Sequence, residues 1–181
     1  VVVETLEDYP GDAQALALLK DIDSTTENWE AYLRTVQTQI HETRDAEVAS
    51  TLRLEAARIE LERFNRWDTA LMHWAEAMQT AQASEAHLGM LGRLLAHDDA
   101  NSAAVALGGV DNTVSELLAK EPTSVMLARA HAQLGQHTLS DPSERVARWQ
   151  TLERLSPDDH EALSQLLEGQ LALEDFGAAA E

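Results

Sequence analysis

Cysteine is absent from this 181-residue chain, which excludes disulfides, thiolate metal sites, iron–sulfur clusters and cysteine nucleophiles and leaves the redox compartment unread. Lysine is nearly absent too. Lys20 and Lys120 are the only two among 13 basic residues, against 32 acidic ones. The formal net charge of -19 repels a polyanion over most of the surface, so no nucleic-acid partner is expected. The acid-rich, lysine-poor balance fits a solvated surface, adaptation to a salty milieu, or attraction to a basic partner. No apolar stretch approaches the roughly 20 residues that cross a bilayer, so no membrane insertion is expected. Residues Val1 to Pro10 carry Glu4, Glu7 and Asp8 in place of a basic leader, and nothing indicates a compartment.

Motifs for several chemistries are missing as well. Two isolated lysines cannot supply a P-loop, and neither GxSxG nor HExxH occurs. A four-helix di-iron site needs Glu-x-x-His pairs. The residues three before the histidines are Thr38, Ala70, Ser84, Leu94, Ala128, Leu134 and Pro157, none of them acidic. No cofactor is expected. Paired acids such as Asp158–Asp159 and Glu60 with Glu62 fall at helix starts or on solvated faces, where the helix dipole or solvation accounts for them without acid–base chemistry.

Helix formers dominate what remains. Ala, Leu, Glu, Gln and Arg are abundant, aromatics are only 4%, and β-branched residues are scattered singly, so the chain reads as all-helical. Helices are expected over 12–22, 25–42, 46–64, 67–81, 85–97, 100–107, 113–120, 124–137, 142–155 and 159–174. Ser24-Thr25-Thr26-Glu27 reads as a capping box, and Gly108–Gly109 as a helix break after which a second box, Thr113-Val114-Ser115-Glu116, restarts the helix. Asp141-Pro142-Ser143-Glu144 offers an N-cap, a first-turn proline and an acidic third position.

A period near 34 residues organises these helices. Leu54, Ala57 and Leu61 shift by 34 onto Leu88, Leu91 and Leu95. Between them Trp67, Ala70, Trp74 and Ala77 form one helical face in which alanines permit close approach of a neighbour. Pro10, Pro122 and Pro157 each precede an apolar helical run, and unit starts fall near 13, 51, 85, 125 and 160. The four tryptophans recur at hairpin positions and read as core.

Leu88, Leu91, Gly92 and Leu95, followed in pattern by Trp67, Ala70, Trp74 and Ala77 for the second helix, resemble the tetratricopeptide repeat. Arg58 stands where that family prefers a small residue and Gln82 where it prefers proline, so the repeats are degenerate. The resemblance implies an all-α, right-handed superhelix of stacked antiparallel hairpins, a single solenoid over 1–181. It implies a non-catalytic protein–protein interaction scaffold whose concave groove takes a peptide or partner helix. The family's groove positions correspond here to Glu55, Glu62, Arg63, Arg93, His97, Arg129, Gln133 and His137. These suit a carboxylate-bearing or mixed-charge segment, with His97 and His137 lending pH dependence. Chaperone-tail-binding members use Lys and Asn where this chain has Glu55 and Gly89, which disfavours that specialised role.

Two other readings remain open. Val1 to Tyr9 and Asp175 to Ala179 look like parts of neighbouring hairpins, so the piece belongs to a longer repeat protein or stacks end to end with other subunits. The doublet His97–Asp98 resembles that of HD-type metal-dependent phosphohydrolases. His41 or His73 and Asp141 or Asp158 would have to complete its ligand set.

Overall fold

Local signals set the helix starts. In the computed structural model, which describes residues 5–6, 8–25 and 28–179 and the side chains of all these except 24 and 174–179, the Asp12 carboxylate accepts from Ala15 N at 2.8 Å and opens α1 (Ala13–Thr25). Asp45 accepts from Glu47 N and Val48 N and opens α3 (Ala46–Glu62). Each side-chain oxygen satisfies an amide that has no partner inside its own helix. Between them, α2 (Trp29–Glu42) begins after Asn28 without a side-chain cap. The capping box expected there includes Thr26 and Glu27, which lie outside the described residues, as do Val1 to Val3. Helices α4 (Trp67–Thr80) and α5 (Glu85–Leu95) follow.

A short 3-10 turn over Asp98–Asn101 leads to α6 (Ala104–Lys120), then α7 (Val125–Thr138), α8 (Pro142–Leu155) and α9 (His160–Ala179). Ser124 caps α7 through Leu127 N, and Asp141 caps α8 through Ser143 N, with Pro142 in the first turn. Asp159 accepts from Ala162 N at 3.1 Å at the start of α9. No strand occurs among the described residues.

Two expectations are corrected. Gly108–Gly109 does not break a helix: α6 runs through both without interruption. Its inward residues Leu107, Val110, Asp111 and Val114 are buried, and that burial outweighs the roughly 1 kcal/mol of helix propensity that each glycine forgoes. Thr113 is therefore mid-helix, donating its hydroxyl back to Gly109 O instead of capping a new start. At the other end, 175–179 do not begin another helix; their backbone continues α9.

The chain is an all-α array of helical hairpins in which sequence neighbours pack on one another, through two compact units, 1–94 and 95–181. In the first unit, Tyr32, Leu33 and Val36 of α2 meet Leu52, Ala56 and Ile59 of α3, with Leu6, Ala15 and Leu16 joining from the N-terminal side. Ala57, Ala70 and Ala77 are fully buried beside Trp74, the small residues giving the close interhelical approach their spacing implied. Two indole N–H groups then tie α4 to α5: Trp67 Nε1 donates to Leu94 O and Trp74 Nε1 to His87 O, each at 2.8 Å. Ahead of α1, Gly11 has φ +82° and its amide donates to Gln39 Oε1 at 2.7 Å. A Cβ there would sit 2.5 Å from Val48 Cγ1, so only glycine fits that turn.

The second unit packs Ala128 and Ala132 of α7 with Trp149 and Leu152 of α8 and Ala162 of α9. Its polar interior is ionic. Arg148 donates from Nη1 and Nη2 to the two oxygens of buried Asp111 at 2.6 and 2.9 Å, and from Nη1 to His131 O at 2.9 Å. Thr138 donates to the same carboxylate. Arg148 reaches it by crossing Gly135, where a Cβ would lie 2.9 Å from Arg148 Cδ.

Candidate interaction groove

The first helices of successive hairpins in unit one, α1, α3 and α5, line two cavities. One, of about 410 Å³, lies between α3 and α5 with Leu54, Ala86, Gly89 and Met90 among its walls. The other, of about 400 Å³, lies between α1 and α3, walled by Ala13, Leu16, Ala17, Val48 and Leu52. Glu47, Thr51 and Glu55 line both. These three stand at helical spacing on one face of α3, so the cavities are two halves of one trough divided by a polar ridge.

Charges cross this trough in alternating sign. Lys20 of α1 lies 3.0 Å from Glu55 of α3. Arg58 grips the same carboxylate through two bonds of 2.7 and 2.9 Å and reaches Glu62 at 3.3 Å. Glu62 in turn pairs with Arg93 of α5. Burial alone would raise the Glu55 carboxyl, but hydrogen bonds from Arg58 and Lys20 outweigh it and hold the group below its ordinary value. The bond to Glu55, partly offset by burial, pushes Arg58 upward. Tyr32 donates its hydroxyl toward Glu55 at 3.4 Å, and burial together with that carboxylate drives the phenol well above its usual range.

Histidine forms part of the lining between α3 and α5. Ser84 N donates to His87 Nδ1 at 3.2 Å, with the Ser84 hydroxyl 2.9 Å from the same nitrogen. That amide donor makes Nδ1 an acceptor, so the neutral ring carries its proton on Nε2 and donates it to Ser50 Oγ, 3.0 Å away. Ser50 donates its own hydroxyl to Ala77 O at 3.2 Å. Burial pushes His87 below its ordinary value.

The residues singled out in sequence fall into separate places. Glu55, Glu62 and Arg93 come together in the charge ladder. Arg63 caps α3 with its guanidinium 4.4 Å above the Trp29 ring, and lines a different cavity with Asn28 and Phe64. In the second unit Arg129 pairs with Asp159, and Gln133 donates to Glu161 at 3.0 Å, so both tie α7 to α9. His137 stands half-buried in the last turn of α7. His97 accepts from Asp99 N and caps the 3-10 turn. Among the described residues no three His, Asp or Glu side chains converge as a metal ion would require, so no ligand set surrounds His97–Asp98. Lys20, Glu47, Arg58 and His87 were missed. Arg58 carried a usable signal, standing three residues after Glu55 and four before Glu62 on one helix.

No protein-family model matches this sequence, and no curated protein matches it. Among solved structures the chain is similar to the TPR2AB-domain:pHSP90-complex of yeast Sti1, at 10% identity and a TM-score of 0.41, over 98% of this chain and 77% of that one.

Proposed function

We propose that this protein is a non-catalytic scaffold that holds a segment of a partner protein in the trough across α1, α3 and α5. The observation that carries this reading is the pair of cavities meeting at Glu47, Thr51 and Glu55, each with apolar walls and polar edges. That combination suits side-chain anchors from a peptide or helix, with the polar ridge setting its register. A second reading, assembly through an end helix, rests on Leu163, Leu167 and Leu171, which recur every four residues on α9 and are 45%, 62% and 55% exposed.

One experiment separates them. A Cβ on Gly89 would meet nothing within 4 Å, so Gly89→Trp plugs the cavity between α3 and α5 while improving helix propensity at that site by about a few tenths of a kcal/mol. Peptides selected from a displayed random library on the wild-type protein are then tested on Gly89→Trp, Thr51→Trp and Leu167→Glu by fluorescence anisotropy. Loss of binding on the two plugged variants alone supports the groove. Binders indifferent to both plugs and lost on Leu167→Glu move the function to α9.

A further inference from the structure

Within that groove reading, on which this step rests, we infer that the trough selects a basic, leucine-bearing segment, with Glu47 receiving its cation between two apolar anchors. Most polar groups along the trough are already committed to one another. Lys20, Arg58 and Arg93 are each paired, and the carboxylates that pair them, Glu55 and Glu62, are shared between two cations apiece. Ser50, Ser84 and His87 bond one another and the Ala77 carbonyl. Thr51 donates to Glu47 O.

Glu47 is different. Its side chain is exposed and makes no hydrogen bond or ion pair among the described residues. It stands in the first turn of α3, where the helix dipole favours a carboxylate, and it borders both cavities. An acidic ligand would have to compete with Glu55 or Glu62 for an arginine and would sit beside those carboxylates. A cation placed over Glu47 displaces nothing. The net charge of -19 acts in the same direction at longer range.

The test uses two short synthetic peptides with the same leucine spacing, one carrying arginine and the other glutamate at the remaining positions, titrated against the full chain at about 0.15 M salt, where long-range attraction is screened. The arginine peptide is expected to bind and the glutamate peptide not to. Glu47→Lys should weaken the arginine peptide by roughly tenfold, ~1.4 kcal/mol. Glu116→Lys makes the same change of charge at an exposed site on α6 and should leave the affinity unchanged. Equal weakening by both variants overturns the assignment, because it reports the field of the whole molecule and not a contact. Preferential binding of the glutamate peptide, blocked by Gly89→Trp, also overturns it while leaving the groove in place. Binding of neither peptide, together with library binders that ignore the plugs, removes the groove as well.

Discussion

The two units use opposite charges in different ways. In residues 1–94 the charges run as a ladder, Lys20–Glu55–Arg58–Glu62–Arg93, along the edge of an open trough, and the interior is held by indole N–H bonds and alanine contacts. In residues 95–181 the ion pair has moved inside. The Asp111 and Arg148 side chains are 8% and 17% exposed, and together with Thr138 and the His131 carbonyl they bridge α6, α7 and α8. An exposed pair gains little against hydration, whereas a buried one becomes indispensable once formed, because removing one partner strands the other charge in a low dielectric. The same residue types thus shape a surface in one unit and hold the core in the other.

The largest effect should come from breaking the buried pair. Arg148→Ala leaves Asp111 uncompensated and is expected to destabilise the second unit by ~3–5 kcal/mol. Hydrogen exchange followed by segment should show α6, α7 and α8 losing protection while α3 and α4 keep theirs. Equal loss in both units would mean that they do not unfold independently and would erase the contrast drawn between them.

Acid should act in the reverse order, more on the first unit than on the second. His73 and His87 in the first unit and His131 in the second are all pushed below the ordinary value of 6.5, chiefly by burial. Arg148 lowers His131 further, against the pull of Asp111. A depressed histidine takes up its proton in the unfolded chain first, so its contribution is intact above pH 6.5 and is lost as pH falls toward the folded value. The limiting slope is about 1.4 kcal/mol per histidine per pH unit. Protonating His87 would point a new Nδ1–H at the Ser84 amide that now donates to it, and charging His73 would place a cation where neither ring nitrogen has a partner among the described residues. Glu55 is likewise held below its ordinary value of 4.5, and its contribution falls only in a separate, more acidic window. Urea melts at pH 7 and pH 5, resolved by segment, should therefore show the first unit losing more. A larger loss in the second unit would refute the assignment.

What the sequence made visible follows the same division between local and non-local physics. The cap formed by Asp141 and Pro142 depends on residues within a turn of one another, and it stands as read. The glycine pair misled because whether Gly108–Gly109 breaks a helix depends on Leu107 and Val114 finding a core, which no local window contains. The candidate site shows the same limit. The resemblance pointed to Glu55, Glu62 and Arg93, but Glu62 and Arg93 are 31 residues apart and Asp111 and Arg148 are 37. Which cation neutralises which carboxylate depends on the rotation of each helix about its axis. Arg63, one residue beyond the last turn of α3, shows how little rotation is needed to move a side chain from the trough to the Trp29 face.

The smallest effect, and the sharpest test of the contrast, lies in the ladder itself. Glu62 is 35% exposed and its partner Arg93 56%, so both stay largely hydrated when separated. Glu62→Gln should then lower the stability of the first unit by no more than ~1 kcal/mol in a urea melt, against several for Arg148→Ala in the second. The same change frees Arg93, and with it an unpaired cation at the edge of the cavity between α3 and α5. A basic peptide should bind this variant less well and an acidic one better, although the fold is almost unaltered. If Glu62→Gln instead destabilises as strongly as Arg148→Ala, the ladder is a structural brace like the Asp111 pair, and the trough owes its shape to those ion pairs more than to its apolar walls.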